Sequence, residues 1–424
     1  MSKLSLGARA VLLVHPTGND NVRQALLALT QANALTSFHT TFAWRRNSAL
    51  DGLFPANLRA ELARRSYPGV PENLIHASPW RELVRLVAER RGWQWLIRHE
   101  TGRFRMDAVA GALDRDVADW ILKAPDSAPA GISRPDAVYA HEDCALNAFR
   151  AARSLGLSCI YELPIGYVRA WLALLAEEIA REPLWGQTID VNAYTESRLA
   201  RKDAELAAAD MVIVPSEFVS RSLRGSPAGK VVIVPYGCPP VADARNKRSP
   251  GPLRVLFVGY ISQRKGISYL LKAMERLNGA AELTLIGHLS HPSAELNAQL
   301  NRHRWIRTSP HEKVLEEMRS HDVLVLPTLF EGRALVVLEA LSQGLPVITT
   351  LNSGTEDVVV EGLSGSIVPI CSSEAIAGAL AKLAENQSLL EDLSQGALRV
   401  AREFGWGRYR ERLLRAISES VPGN

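Results

Sequence analysis

Residues 322–350 read DVLVLPTLFEGRALVVLEALSQGLPVITT, which places a helix-like segment between two short apolar runs. The runs DVLVLP (322–327) and LPVITT (345–350) have the length of buried strands and are bounded by proline and polar residues. A strand, a helix and a second strand in succession are typical of a parallel sheet with crossover helices. This stretch therefore predicts an α/β fold.

The same alternation extends along the chain on both sides of this unit. Two more strand-like runs precede it in the second half, RVLFVG (254–259) and ELTLIG (282–287). The runs of the first half are AVLLVH (10–15), DAVYAH (136–141), CIYELP (159–164), MVIVPS (211–216) and KVVIVPYG (230–237). The sequence thus predicts two doubly wound parallel sheets.

The segment CPPVADARNKRSPGP (238–252) separates the two sets of runs and is rich in proline and charge, without apolar periodicity. Such composition is typical of a linker between domains. We therefore expect an N-terminal domain over 1–238, a linker over 239–252 and a C-terminal domain over 251–404. The last segment, 405–424, has a helical pattern, and we expect it to cross back to the N-terminal domain.

Length and composition limit the possible classes of protein. A chain of 424 residues exceeds the ~250–300 residues at which one core stops growing, and 47% apolar residues are enough for two. A net charge of +4, from 49 basic and 45 acidic residues, argues against a nucleic-acid partner. Four scattered cysteines and the lack of any 18-residue apolar stretch predict a cytoplasmic protein without disulfides, zinc or a membrane span.

Two carboxylates in the opening stretch are candidates for ligand binding. Glu339 lies in LVVLEALS, where an unpaired charge among apolar neighbours would cost several kcal/mol. A vicinal diol such as a ribose suits it, because two hydroxyl donors match its two oxygens. We expect Glu331 on the loop before this helix. The alternative for both residues is structural, with Glu331 as a first-turn acid and Glu339 paired with an arginine.

Phosphate-binding features occur at two places in the second half. The junction Gly332-Arg333-Ala334-Leu335 would direct backbone N–H groups and the positive end of a helix outward. The segment VGYISQRKG (258–266) ends a strand in Gly259 and then supplies Arg264 and Lys265, two cations that suit a diphosphate. Taken alone, that segment is also compatible with a solvated helix start.

Together these residues form the pattern G-x5-K-G followed by E-G-x2-L-V-x-L-E-A-L-x3-G-L-P-V-I. Over roughly 251–405 the pattern resembles the donor-binding domain of the retaining GT-B glycosyltransferases of family 4. The resemblance implies two Rossmann-like domains facing a central cleft, with the acceptor bound by 1–238 and a nucleotide-sugar donor, the co-substrate, bound by 251–404. It implies no further cofactor. It also implies transfer with retention of configuration.

The resemblance assigns roles to individual residues. It implies that Arg264 and Lys265 contact the donor diphosphate, that Glu331 lies near the transferred sugar and that Glu339 holds the ribose. The remaining donor-binding positions that it implies are Gly259, Gly332, Arg333, Ala334 and Leu335. The chain departs from the family at Tyr260, where an arginine is usual, and at Arg333-Ala334, where Phe-Gly is usual.

The N-terminal half carries two positions of the resemblance. Gly18, in the turn HPTGN (15–19), corresponds to a glycine that faces the donor phosphate, and His141, at the end of DAVYAH, corresponds to a histidine beside the donor sugar. A lone histidine at a strand end is also compatible with a structural role. The predicted catalytic residues are therefore His141, Glu331, Arg264 and Lys265.

Residues 44–105 are unusually basic, with twelve arginines against six acids, and they include Trp44, Trp80, Trp93 and Trp95. Arginine with interleaved tryptophan suits an anionic membrane surface, so this stretch predicts possible peripheral contact with the inner face of the cell membrane. The alternative is a solvated basic face with core tryptophans. In the helix over 79–96, Trp80, Leu83, Val84 and Val87 form one apolar face that suits either a membrane or the core.

These observations predict a glycosyltransferase that moves a sugar from a nucleotide-sugar to a glycan or lipid-linked acceptor in the biosynthesis of envelope polysaccharide or glycoconjugates. We expect no metal, because the donor half has no D-x-D motif at a strand end and the chain has no His/carboxylate cluster. Two alternatives remain, a sugar-nucleotide epimerase on the same scaffold and a catalytically idle protein that binds nucleotide-sugars.

Overall fold

The computed structural model describes residues 9–44, 65–98, 101–123, 134–189, 194–243 and 251–420, and within them the strands form two parallel sheets. The N-terminal sheet has seven strands in the spatial order β3-β2-β1-β4-β5-β6-β7. Their bounds are β1 Val11–Val14, β2 Leu35–Thr40, β3 Ile75–Ala77, β4 Ala137–His141, β5 Ser158–Glu162, β6 Met211–Val214 and β7 Lys230–Ile233.

The C-terminal sheet has six strands in the order β10-β9-β8-β11-β12-β13. Their bounds are β8 Leu253–Val258, β9 Ala281–Ile286, β10 Arg304–Ile306, β11 Val323–Leu326, β12 Val347–Thr349 and β13 Gly365–Ile367. In both sheets the strand order reverses beside the first strand, and this is the point where open α/β sheets bind ligands. The prediction of two doubly wound parallel sheets is confirmed.

Helices connect most of these strands, as parallel pairing requires. Those of the N-terminal half are α1 Asp20–Gln31, α2 Pro79–Arg91, α3 Gln94–Ile97, α4 Met106–Lys123, α5 Leu146–Ser154, α6 Val168–Arg181, α7 Pro183–Gly186, α8 Glu196–Ala208 and α9 Glu217–Ser222. Those of the C-terminal half are α10 Ile267–Arg276, α11 Ala294–Leu300, α12 His311–Ser320, α13 Leu335–Ser342, α14 Ser373–Glu385, α15 Gln387–Glu403 and α16 Trp406–Ser420.

Strands β1, β6 and β11 are apolar along their whole length because helices cover both faces of a doubly wound sheet. Every residue of these three strands is buried. Four strands were not predicted. Of these, β2 has the sequence LTSFHT and is fully buried although four of its six residues are polar, while β3, β10 and β13 have three residues each.

The last helix lies against the N-terminal domain. Cys238 pairs with Gly405 in an isolated parallel bridge, so the chain leaves the C-terminal domain beside the point where it entered. From there α16 packs on α1, and Arg410 donates a hydrogen bond to Gln24. Tyr409 is buried, with its ring centroid 5.8 Å from that of Tyr236.

None of the helices in the described ranges combines the length and the apolar character that a membrane crossing requires.

Candidate active site

A pair of cations follows the first strand of the C-terminal sheet. After β8 the chain passes Gly259 and enters a short 3₁₀ turn, Gln263–Lys265, which ends at Gly266. Gly266 has φ +73°, and a Cβ there would lie 2.0 Å from the carbonyl oxygen of Pro327. This close packing fixes Arg264 and Lys265 against the loop that follows β11.

Both cations contact one carboxylate. Lys265 Nζ lies 2.5 Å and Arg264 Nη1 lies 2.6 Å from the same oxygen of Glu331, Oε1. Arg264 also donates to the Phe330 carbonyl at 2.8 Å. Burial would raise the pKa of Glu331, but Lys265 and Arg264 outweigh it and hold the pKa below its usual value. Glu331 is thus an anion, and three predicted catalytic residues meet at one point.

The loop that carries Glu331 lies at the boundary between the domains. Gly166 N–H donates to the Glu331 carbonyl at 3.2 Å, and the Ser216 hydroxyl donates to the Gly332 carbonyl at 2.6 Å. A Cβ on Gly332 would lie 1.7 Å from the carbonyl oxygen of Pro164, so only glycine allows this approach. The N-terminal domain therefore sets the position of the loop.

The helix that follows presents the second predicted carboxylate. Its first residue is Leu335, and N–H groups in a first helical turn lack partners within the helix. The Ala334 N–H is not among them, since it donates to the Ser353 carbonyl at 3.0 Å. Glu339 lies on this helix, 4.0 Å from His311 Nδ1. Burial raises the pKa of Glu339, His311 opposes this and Asp20 of α1 adds to it.

The resemblance implies that Arg333 binds the donor, but the side chain is bonded to other protein groups. Its buried guanidinium donates to the Tyr236 carbonyl through Nε at 3.0 Å and to the Gly354 carbonyl through Nη1 at 3.1 Å. It also forms a two-point salt bridge with Asp357, at 2.5 and 3.2 Å. The side chain therefore joins the end of the N-terminal domain to a loop of the C-terminal domain.

The predicted glycine turn of the N-terminal half is ordered by a histidine that the sequence did not single out. His15 Nδ1 accepts hydrogen bonds from the N–H groups of Gly18 at 2.7 Å and Thr17 at 3.2 Å. Burial and the neighbouring His141 lower the pKa of His15 well below its usual value. His15 is therefore neutral, and because Nδ1 is an acceptor, its proton is on Nε2.

His141 lies deeper than its predicted contact with the donor sugar suggests. Only 3% of its surface is exposed, and its ring meets that of His15 edge to face with centroids 4.5 Å apart. His141 Nδ1 lies 3.2 Å from the Val14 carbonyl oxygen, and Nε2 lies 2.9 Å from Glu162 Oε2. Both nitrogens thus face protein acceptors, and the rings of His15 and Tyr139 pack against that of His141.

Glu162 is the centre of a buried network that the sequence analysis missed. Its carboxylate accepts hydrogen bonds from Asn21 at 3.0 Å, from the Tyr236 hydroxyl at 2.7 Å and from the Tyr139 hydroxyl. Burial alone would raise the pKa of Glu162, but His141 and these donors lower it to about 2. A glutamate at a buried strand end was the available signal, since an ionised side chain there must have partners.

The described part of the basic stretch comprises residue 44, 65–98 and 101–105, while residues 45–64, 99 and 100 lie outside the described ranges. Its apolar face is not core, because Trp80, Leu83 and Val87 are exposed, as are Trp93 and Trp95. Several of its cations have acidic partners. Arg85 pairs with Glu82 and Glu89, Arg81 pairs with Asp116, and Arg91 lies over the ring of Trp93.

No cluster of three or more His, Cys, Asp or Glu side chains suited to a metal ion occurs among the residues that the structure describes.

Comparison with solved structures bears on the whole fold. Sucrose-phosphate synthase from Thermosynechococcus elongatus superposes with a TM-score of 0.63 over 97% of this chain and 98% of its own, at 19% identity. HepE from Anabaena, solved in complex with UDP-glucose, superposes with a TM-score of 0.60 over 97% and 99% of the two chains, at 13% identity. At this identity the likeness concerns the fold.

Comparison of sequences bears on the C-terminal half. The amylovoran biosynthesis glycosyltransferase AmsK of Erwinia amylovora is 25% identical over 189 residues, which are 39% of this chain and 44% of the relative. The chain spans about half the length of the curated relatives it matches. Residues 241–400 match the family model described as glycosyl transferases group 1. The chain therefore carries a glycosyl transferases group 1 domain within the GT-B arrangement of two Rossmann-like domains.

Proposed function

We propose that the protein is a glycosyltransferase that transfers a sugar from a nucleotide-sugar donor to a glycan or lipid-linked acceptor. The observation that carries the proposal is the contact of Arg264 and Lys265 with a single oxygen of Glu331 at the domain boundary. Two adjacent cations suit the two phosphates of a nucleoside diphosphate. The group 1 domain that contains them supports the same conclusion.

In this proposal the C-terminal domain binds the donor. The diphosphate lies between the cations and the first turn of α13, where the N–H groups of Leu335 and Val336 and the positive helix end favour an anion. Glu339 accepts the two ribose hydroxyls. The turn at Thr17 and Gly18, which His15 orders, closes the site from the N-terminal domain.

The proposed reaction breaks the bond between the anomeric carbon and the diphosphate oxygen, and the acceptor hydroxyl forms the new bond to that carbon. The hydroxyl proton passes to the departing diphosphate, whose charge Arg264 and Lys265 stabilise. We propose attack on the face that the leaving group occupied, which retains configuration. Glu331 lies beside the reacting sugar, whereas His141 acts on the site through His15.

The amylovoran biosynthesis role in the name of the Erwinia relative supports an acceptor in polysaccharide synthesis. An epimerase or an idle binding protein is distinguished from a transferase by its products. Incubation with a donor alone should leave the sugar unaltered, apart from slow hydrolysis, and transfer should require an acceptor.

The direct test is donor binding by isothermal titration calorimetry with UDP-glucose and with the other common nucleotide-sugars. Lys265→Ala should weaken binding at least thirtyfold, about 2 kcal/mol, because it removes one of two cations from the diphosphate. Lys313→Ala is the matched control, since this exposed lysine pairs with Glu316 on its own helix. Equal affinities of the two variants would refute the proposed site.

We propose that the reaction needs no metal ion, with Arg264 and Lys265 in place of a divalent cation at the diphosphate. Transfer should therefore continue at an unchanged rate in EDTA. Loss of activity in EDTA, with recovery in Mg²⁺ or Mn²⁺, would contradict this.

We also propose peripheral contact with the inner face of the cell membrane through residues 79–97. The exposed side chains of Trp80, Leu83, Val87, Trp93 and Trp95 support a surface that enters the headgroup region. Sedimentation with anionic vesicles at low salt should recover more protein than sedimentation with neutral vesicles. Trp93→Ser with Trp95→Ser should reduce this recovery, and Tyr260→Ser, an exposed aromatic residue of the other domain, should not.

Equal recovery with the two vesicle types would contradict the electrostatic part of this contact. In that case Arg81, Arg85, Arg90 and Arg91 form only a solvated face.

A further inference from the structure

A cavity of about 740 Å³ lies in the N-terminal domain, away from the paired cations. It is formed where β2 and β3 end and where α4 crosses the sheet. Its volume is within the range of pockets that hold small ligands. The donor-binding site described above does not use it.

The lining is rich in aromatic rings and contains two stacked imidazoles. His39 and His76 lie opposite each other on paired strands, with ring centroids 4.7 Å apart and planes nearly parallel. Trp120 of α4 meets His39 edge to face at 4.9 Å. Trp44 and Tyr67 form further parts of the wall.

Both imidazoles are neutral. Burial and the adjacent His76 lower the pKa of His39 to about 3, and burial lowers the pKa of His76. The acidic residues of the lining are Glu72 and Asp116, and no lysine or arginine belongs to the lining among the described residues. The walls therefore offer apolar faces, neutral imidazoles and two carboxylates, and they disfavour a phosphate or a carboxylate.

One polar atom of the lining indicates a ligand. His76 Nε2 is buried, and nothing in the described ranges hydrogen-bonds to it. Buried nitrogen atoms nearly always have a partner, because an unsatisfied one costs about 1–3 kcal/mol. A hydroxyl group of a bound molecule would supply that partner.

The cavity adjoins the turn that faces the donor. The Tyr67 hydroxyl donates to the Thr17 carbonyl at 3.2 Å, and a Cβ on Gly18 would lie 2.4 Å from that hydroxyl oxygen. One face of Tyr67 thus belongs to the cavity wall while its hydroxyl supports the Gly18 turn. Tyr67 therefore links the cavity to the turn that the proposed function places beside the donor.

We infer that this cavity binds an uncharged sugar unit of the acceptor. A pyranose ring has apolar C–H faces that pack on indole and phenol rings, and hydroxyl groups that can both donate to and accept from neutral imidazole. The assignment rests on the proposed function, since it names the acceptor of that reaction. It selects a neutral sugar over a phosphorylated sugar or a uronic acid.

The first test uses the unmodified protein with UDP present to occupy the donor site. Saturation-transfer difference NMR is recorded with methyl glucoside, methyl galactoside and methyl mannoside, and with glucose 6-phosphate and glucuronic acid at the same concentration. At least one neutral glycoside should give a signal several times stronger than either anionic sugar. Equal or stronger signals from the anionic sugars would overturn the inference.

The second test uses variants of the cavity. Trp120→Leu removes an aromatic wall of the cavity. His76→Leu removes the unpartnered nitrogen, and this smaller change serves as the test if Trp120→Leu does not fold. Each should reduce the neutral-sugar signal at least fivefold and raise the acceptor KM about tenfold. Trp95→Leu, the same substitution at a tryptophan that is 73% exposed, should leave both quantities as in the parent protein.

The two proposals fail in different ways. Absence of UDP binding by the unmodified protein would refute the proposed function itself. Normal UDP binding, together with unchanged sugar signals in folded Trp120→Leu and His76→Leu, would refute the cavity assignment alone.

Discussion

The two halves of the molecule use buried charge in opposite ways. In the C-terminal half, Glu331 is paired with Arg264 and Lys265 beside the cleft, and the three side chains form a compact charged group that a diphosphate can join. In the N-terminal half, Glu162 is 1% exposed and all its partners are protein side chains. In the proposed function the first arrangement exchanges partners with a ligand, whereas the second joins four chain segments, α1, β4, β5 and the residues after β7. Charge at a strand end is therefore not evidence of catalysis until its partners are known.

The largest expected effect concerns Glu331, the carboxylate that pairs with Arg264 and Lys265. Glu331→Gln should lower the rate of transfer about a thousandfold, about 4 kcal/mol in the activation barrier, because it removes the carboxylate beside the reacting sugar. Nucleotide affinity should not fall, since the amide no longer competes with the diphosphate for the two cations. Steady-state kinetics and calorimetry measure the two quantities, with Glu316→Gln on an exposed helix as the control. A parallel loss of nucleotide affinity would show that Glu331 belongs to the binding scaffold.

Substitution of the buried Glu162 should instead change the stability of the protein. Glu162→Gln should lower the free energy of unfolding by roughly 3 kcal/mol at neutral pH, because the native pKa of about 2 lies well below the unfolded value of 4.5. A carboxyl group with a lowered native pKa contributes its full stability above the unfolded pKa and loses it as the pH falls. The stability of the parent protein should therefore decline between about pH 4.5 and pH 2.

Urea unfolding at a series of pH values checks this prediction. The Glu162→Gln variant should show a shallower decline than the parent over the acidic range. If the two curves are parallel, the pKa of Glu162 is not lowered, and the buried network does not stabilise the fold in the way described.

A third substitution tests whether Arg333 acts in donor binding, as Arg264 and Lys265 are proposed to do, or stabilises the fold, as Glu162 does. Arg333 lies in the C-terminal motif but is bonded to protein groups like the N-terminal charges. Arg333→Lys should destabilise the protein by about 2 kcal/mol, since lysine lacks the planar set of donors that reaches Tyr236, Gly354 and Asp357. Donor affinity should change less than threefold. A tenfold loss of donor affinity with unchanged stability would restore the predicted donor-binding role.

The smallest effect is expected at Glu339. Glu339→Gln should weaken nucleotide-sugar binding about tenfold, about 1.4 kcal/mol, because an amide oxygen and an amide nitrogen cannot both accept from the two ribose hydroxyls. The comparison of ribonucleotide with 2′-deoxyribonucleotide sharpens the test, since the variant should discriminate less between them than the parent does. Equal discrimination would place the ribose elsewhere.

The sequence predicted the parts of the molecule that are continuous along the chain. The stretch 322–350 specified a strand, a loop and a helix, and the structure has β11, the loop of Glu331 and α13 there. Apolar runs likewise located nine of the thirteen described strands. Strand β2 was missed because its threonines, serine and histidine are buried by neighbouring elements, which no local pattern records.

The parts that could not be predicted are assembled from distant segments. The partners of Glu162 come from α1, β4 and the residues after β7, and the Arg333 side chain bonds to a backbone carbonyl, which carries no sequence signal. His141 was singled out for its place at a strand end. The depth at which it lies depends on packing against His15, which only the folded chain shows.

The return of α16 to the N-terminal domain has a consequence for protein synthesis. Residues 406–420 leave the ribosome after the entire C-terminal sheet, yet they cover α1, which is made before that sheet. Until then the N-terminal domain lacks the Tyr409 ring beside Tyr236 and exposes the surface of α1 that α16 covers. The two domains therefore cannot be completed one after the other during translation, and the earlier domain depends on the later one for its last element.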